Sequence, residues 1–160
     1  MTVRETVETL LASHLTCAAA ESLTGGMVSS MIVDVPGASG TFLAGLVTYA
    51  PEMKTALAGV DSAIIATYGV VSEPCARAMA LGAREKTGAD IAVSTTGLAG
   101  PGGGTPETPV GTVFVGCAAQ DGVAVKELHL SGTREEIRRA AALEAITLLG
   151  DAALKQQKKN

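Results

Sequence analysis

The stretch Ala19-Ala20-Glu21-Ser22-Leu23-Thr24-Gly25-Gly26 constrains the fold of this chain more than any other. An apolar run ends there in two hydroxyl side chains and a glycine pair, which reads as a strand passing directly into a helix N-terminus. The first N–H groups of a helix lack intrahelical partners, and glycine lets a ligand approach them closely, so such a junction can seat a phosphate or a carboxylate. A second reading stands beside it, in which Thr24 caps the helix and the glycines only relieve crowding. Met27, Val28, Met31 and Ile32 then recur at helical spacing as far as Pro36, so a helix is expected to grow out of the junction.

The same alternation runs through the chain. Thr2 and Glu5 have capping-box spacing, and Val3, Val7, Leu10 and Leu11 share one face of a first helix expected to reach about His14. A short buried strand follows at residues 17–20. Residues 42–49 read as a second strand, with Pro51 in the first turn of a short helix containing Glu52, Lys54 and Leu57. Ser62 is expected to cap a helical turn that closes at Gly69, and Ser72-Glu73-Pro74 opens a helix that stops at Gly88. Residues 91–95 form a third strand, which empties into Gly97-Leu98-Ala99-Gly100-Pro101-Gly102-Gly103-Gly104. Thr105-Pro106-Glu107-Thr108-Pro109 is too rich in proline for a regular element and is expected to be an ordered loop or a lid. Residues 110–119 and 123–130 are two strands joined around Asp121-Gly122, a hairpin signal. Thr133 and Glu136 make a second capping box before a long helix through Ile137, Leu143, Ile146 and Leu149, and residues 155–160 are expected to fray. The expectation is one α/β domain over residues 1–160, a three-layer α/β/α sandwich whose mixed sheet includes one antiparallel hairpin.

Composition narrows the partners. Hydrophobic residues make up 47% but aromatics only 2%, so the core has to be Ala, Val, Leu and Ile, which suits helices lying close on a sheet. A net charge of −4 leaves no basic stripe of the kind nucleic acid needs. Cys17, Cys75 and Cys117 are odd in number and far apart, as buried thiols in a reducing compartment would be. There is no CxxC or HxxxH spacing, and His14 and His129 stand alone, the latter expected to face outward from a strand. Neither a metal nor a cofactor is therefore expected. Arg4, Glu5 and Glu8 interrupt any leader-like run, and no run reaches the ~18 apolar residues of a membrane span, so a soluble cytoplasmic protein without a membrane partner is expected.

In α/β sheets ligands bind where loops converge at the carboxyl ends of strands. Three such ends carry unusual residues here, at 21–26, 48–54 and 94–104. If the strands adjoin, one crevice holds Ser22, Thr24, Tyr49, Lys54, Thr96 and two glycine-rich loops. The glycines fit neither the GxGxxG nor the GxxxxGK[ST] pattern, which leaves a backbone nest for one phosphate or an oxyanion. Ser22 as a nucleophile needs a base, and neither histidine lies in these loops. A lysine kept near neutral by burial, or a tyrosine relaying the proton, can serve, and Lys54 and Tyr49 are the available pair. The plainer alternatives are an exposed helix lysine and an aromatic packed on the core. Arg134, Arg138 and Arg139 open the last helix, where positive charge opposes the dipole. An anion site would explain them, and so would ion pairs with Glu135 and Glu136. Arg138 is the stronger candidate for a ligand contact.

Five motifs in order, Ala20-Glu21-Ser22-Leu23-Thr24-Gly25-Gly26, Val47-Thr48-Tyr49 with Lys54, Gly69-Val70-Val71-Ser72-Glu73-Pro74, Thr96-Gly97-Leu98-Ala99-Gly100-Pro101-Gly102-Gly103 and Pro109-Val110-Gly111-Thr112-Val113, resemble the C-terminal domain of the CinA (competence/damage-inducible) family. The resemblance covers nearly the whole chain. The stand-alone form of that domain is a nicotinamide-nucleotide amidase, so the resemblance implies hydrolysis of the carboxamide of nicotinamide mononucleotide to nicotinic acid mononucleotide and ammonia, in pyridine-nucleotide recycling. The larger CinA proteins carry an additional N-terminal domain for which this chain has no room, which favours the stand-alone reading as an expectation. Ser22, Tyr49 and Lys54 fall where the family keeps its proposed catalytic hydroxyls and amine. Glu21, Thr24, Gly25, Gly26, Thr96, Gly97, Gly100, Gly102, Gly103 and Arg138 are the expected substrate contacts. Thr96, where relatives can have serine, and Leu98, where isoleucine is usual, depart mildly. The partner is then a small nucleotide, with a homodimer as a possible assembly. The competing function is a non-catalytic module that binds a nucleotide or docks a partner in a competence or DNA-damage response.

Overall fold

The computed structural model of the protein describes residues 1–158. Strand β1 (Cys17–Glu21) lies inside its sheet, and all five of its residues are buried. Three successive alanines after Cys17 put almost no side-chain bulk on either face, so helices can close down on both. Strands β2 (Phe42–Val47) and β3 (Ile91–Gly97) flank β1 and run parallel to it, while β4 (Thr112–Ala119) and β5 (Gly122–His129) extend the sheet antiparallel, in the order β2-β1-β3-β4-β5. Helices α1 (Val3–Ala12), α2 (Met27–Val33) and α6 (Arg134–Gln157) cover one face over a core that includes Leu10, Ile32, Val93, Ile146 and Leu149. Helices α3 (Pro51–Ala58), α4 (Ser62–Tyr68) and α5 (Glu73–Thr87) cover the other over Ala18, Ala20, Val60, Cys75 and Met79. This is the expected three-layer α/β/α sandwich with a mixed sheet.

Local chemistry accounts for most boundaries. Both capping boxes form, at Thr2/Glu5 and at Thr133/Glu136, and Ser72 accepts from the Cys75 N–H to start α5. Several boundaries differ from the sequence expectation. Asp61, not Ser62, caps α4, because its carboxylate reaches the Ala63 N–H while Ser62 is already helical. Helix α1 stops at Ala12, and His14 takes a left-handed φ of 55° that turns the chain toward β1. Strand β2 ends at Val47, β3 continues to Gly97, and β4 begins only at Thr112. The hairpin turn is Gln120-Asp121, one residue earlier than the Asp-Gly signal placed it, since Gly122 already pairs with Ala119. Helix α6 runs to Gln157 through part of the segment expected to fray, and residues 159 and 160 of that expectation lie outside the described residues. The proline-rich loop folds on itself, the Thr105 N–H donating to the Thr108 carbonyl and the Thr108 N–H to the Thr105 hydroxyl. No helix among the described residues is long and apolar enough to cross a membrane.

The helix that carries Lys54 packs closely on α5. Gly82 of α5 lies against the Ala58 carbonyl at the end of α3, and a Cβ at Gly82 would overlap that oxygen. Alanine is the better helix former by about 1 kcal/mol, yet overpacking against backbone that cannot move costs about 1–3 kcal/mol, so Gly82→Ala is expected to destabilise the fold. A lowered urea midpoint with an unchanged m-value is the expected measurement.

Candidate active site

The connection from β1 to β2 passes through α2 on one face, and the connection from β2 to β3 passes through α3, α4 and α5 on the other and crosses β1. The carboxyl ends of three adjoining parallel strands therefore open onto one crevice at the point where the winding reverses, the usual place for a ligand in such a sheet. Ser22 stands at its centre as the first residue beyond β1. Its N–H donates to the Thr95 carbonyl at 3.0 Å, which ties it to the neighbouring strand end.

Lys54 comes up from the first turn of α3 beneath Ser22 and is only 1% exposed. Its Nζ lies 2.9 Å from Ser22 Oγ, 2.7 Å from the Thr48 carbonyl oxygen and 3.3 Å from that of Tyr49. Burial pushes its pKa below the usual lysine range, against a smaller opposing influence from Cys75 and Glu52. A protonated amine donates to all three oxygens. After losing one proton it keeps two N–H groups for the two carbonyls and turns its lone pair to the Ser22 hydroxyl, so the geometry serves a neutral amine acting as base.

The anion seat at the start of α2 is already filled from within. Glu21 is fully buried, and its Oε1 accepts from the Thr24 hydroxyl (2.7 Å) and from the N–H groups of Gly26 (3.2 Å) and Val28 (2.8 Å). Its Oε2 accepts from the N–H (3.0 Å) and the hydroxyl (2.6 Å) of Ser29. The Gly26, Val28 and Ser29 N–H groups are thus taken by this carboxylate and the Gly25 N–H by the Ser22 carbonyl, so these backbone donors do not face a substrate. Thr24 does not cap the helix either. Gly26, at a φ of 99°, occupies the cap position with no side-chain bond, and the Thr24 hydroxyl, having given its proton to Glu21, accepts from Thr95 Oγ1 at 2.7 Å. Gly25 lies beneath the Arg138 guanidinium.

Two arginines exchange the roles expected of them. Arg138 donates to the carbonyls of Leu23 at 2.8 Å and Thr24 at 3.1 Å and so clamps the loop after Ser22 instead of facing the crevice. Arg134, one turn earlier, reaches the crevice, donating to the Gly100 carbonyl at 2.7 Å and the Tyr49 hydroxyl at 3.3 Å. Tyr49 meets Lys54 only through its backbone, and its exposed ring spans toward Arg134, so no phenol-to-amine relay is formed. Thr96 is buried and donates to the Val70 carbonyl at 2.7 Å, which takes its hydroxyl away from the substrate side. A cleft of about 140 Å³ remains, lined by Ser22, Leu23, Tyr49, Arg134 and the loop residues Gly97, Leu98, Ala99, Gly100 and Gly102. Gly103 lies beside this loop at a φ of 88° without lining the cleft. The N–H groups of Leu23 and Ala99 make no hydrogen bond to another described residue. No group of three metal-ligating side chains occurs among the described residues. The three cysteines are buried and free, Cys17 and Cys117 with thiols pushed up to about 12 by burial, and His129 is exposed as expected.

Residues 2–153 match the sequence profile of the CinA C-terminal domain. The chain belongs to that family. A CinA-like protein of Chlorobaculum tepidum is 60% identical over 114 residues, covering 71% of this chain and 27% of the relative. A CinA-like protein of Akkermansia muciniphila is 47% identical over 148 residues, 92% of this chain and 36% of the relative. This CinA domain thus spans about a third of the length of those relatives. Among solved structures, a CinA superfamily protein of Klebsiella pneumoniae superposes with a TM-score of 0.91 at 28% identity, covering 96% of each chain. A competence/damage-inducible protein of Agrobacterium tumefaciens does so with a TM-score of 0.87 at 35% identity, covering 92% of this chain and 93% of the other. The CinA fold therefore extends over the Ser22–Lys54 crevice as well as the core.

Ser22 and Lys54 are legible in the sequence, whereas the place of Arg134 in the crevice and the parts played by Thr95 and Ser29 emerge only from the fold. The consecutive hydroxyls Ser94-Thr95-Thr96 are the available signal for Thr95, because alternation on a buried strand turns it to the sheet face opposite Ser94 and Thr96, where Thr24 lies.

Proposed function

We propose that this CinA domain is a serine amidohydrolase that cleaves the carboxamide of nicotinamide mononucleotide to nicotinic acid mononucleotide and ammonia, in pyridine-nucleotide recycling. The observation that carries the reading is the buried Lys54 amine 2.9 Å from Ser22 Oγ, with both of its remaining N–H bonds directed to carbonyls. Ser22 Oγ attacks the amide carbon while its proton passes to Lys54 Nζ. The tetrahedral intermediate collapses as Lys54 returns that proton to the leaving nitrogen, so ammonia departs and an acyl-Ser22 ester is left. Water then attacks the ester and gives its proton to Lys54, which passes it to Ser22 Oγ as the carboxylic acid leaves, restoring the serine hydroxyl and the neutral amine. Among the described residues the cleft-lining N–H groups of Leu23, Ala99, Gly100 and Gly102 make no hydrogen bond, and they are the candidates to stabilise the oxyanion.

The small cleft suits the reacting end of a nucleotide, since whole ligands occupy about 300–1,000 Å³. Ribose and phosphate then lie at the open mouth beside Arg134, the cation of the lining. Losing a charged hydrogen bond of about 1.5–3 kcal/mol, Arg134→Ala is expected to raise KM about 10- to 100-fold with kcat little changed. The deciding experiment is incubation with nicotinamide mononucleotide and measurement of released ammonia across pH. Binding without ammonia would mark a nucleotide-binding module, and turnover of a different amide with indifference to the nucleotide would reassign the substrate.

A further inference from the structure

We propose that Glu21 is the positioning residue of Ser22, an internal carboxylate that holds the serine against Lys54. It is not a contact of the substrate. The proposal rests on the reading of Ser22 as nucleophile. Every donor to the Glu21 carboxylate comes from the segment that follows Ser22: Thr24, Gly26, Val28 and Ser29. The carboxylate therefore draws residues 24–29 back onto the end of β1 and closes a tight loop with Ser22 at its start. The loop is pinned on its other sides by the Thr95 carbonyl, which takes the Ser22 N–H, and by Arg138, which takes the Leu23 and Thr24 carbonyls. Ser22 has no other side-chain partner than Lys54 among the described residues, so its aim depends on this backbone frame. Removing the charge leaves five donors competing for one neutral oxygen, and the frame loosens where the hydroxyl must be held to within a fraction of an ångström.

The test reads Ser22 directly. A serine-directed fluorophosphonate forms an Oγ–P bond as fluoride leaves and the hydroxyl proton passes to Lys54, and intact-mass measurement follows the rate at any substrate preference. Glu21→Gln is expected to slow labelling at least about tenfold and to lower kcat by a similar factor, with KM within about twofold. A purely structural role would lower the melting temperature and leave the labelling rate of the folded fraction unchanged. Labelling of folded Glu21→Gln within about twofold of the natural protein overturns the proposal. If that variant does not fold, Ser29→Ala decides. It removes one donor and is expected to slow labelling about threefold, and an unchanged rate overturns the proposal. Failure of the natural protein to label at Ser22 overturns the nucleophile reading and this one together, whereas labelling without turnover of nicotinamide mononucleotide overturns only the substrate.

Discussion

Lys54→Met is expected to lower kcat by about 10²- to 10⁴-fold, the range general-base catalysis supplies, while leaving the protein folded. Methionine keeps an unbranched apolar stem of similar length and removes only the amine. The natural protein should show kcat/KM rising with pH through the depressed pKa of Lys54, because only the neutral amine accepts the Ser22 proton. Lys54→Arg should be as inactive as Lys54→Met, since a guanidinium stays protonated. Stability gives an independent sign. Between the lowered folded pKa and the ordinary 10.5, the unfolded lysine holds a proton that the folded one has released, so this group makes stability rise with pH over that window. Lys54→Met should flatten that rise. An unchanged pH profile in the natural protein, or full activity in either variant, would remove Lys54 from the mechanism.

Ser22→Ala is expected to cost about 10³-fold or more in kcat with little change in melting temperature, because among the described residues the hydroxyl has a single partner, Lys54. Covalent chemistry makes a sharper demand than a rate. With nicotinamide mononucleotide and an acid quench, the natural protein should carry the nicotinoyl nucleotide as an ester on Ser22, and the alanine variant should carry none. If the natural protein turns over without an adduct and the alanine variant loses less than about tenfold, Ser22 orients a water that attacks instead.

The order of strands and helices was legible because it depends on local spacing. Capping boxes at Thr2 and Thr133, Pro51 at the start of α3 and the apolar runs of β1 and β3 each act within a few residues and appear where they were expected. Boundaries moved where long-range pairing decided them, as when β3 continued through Thr96 and Gly97 to meet Phe114 and Val113. The site divided in the same way. Ser22 and Lys54 were readable as residue types at two strand ends. Which arginine reaches the crevice was not, because Arg134 and Arg138 lie one turn apart and only the packing of α6 on the sheet decides the matter. The filling of the α2 terminus by Glu21 was hidden for another reason. A motif rich in free donors looks the same in sequence whether its anion is a substrate or the preceding residue.

The antiparallel hairpin at the far side of the sheet has a practical meaning. Strand β4 leaves the crevice at Thr112 and β5 returns to that end at His129, so the tip at Gln120-Asp121 projects from the opposite pole of the molecule. Exposed tips of this kind accept added sequence with little cost to the core. A fluorescent reporter, an affinity handle or another protein domain grafted between these two residues would leave the crevice unobstructed, which makes the hairpin the natural attachment point for immobilising or tracking this domain.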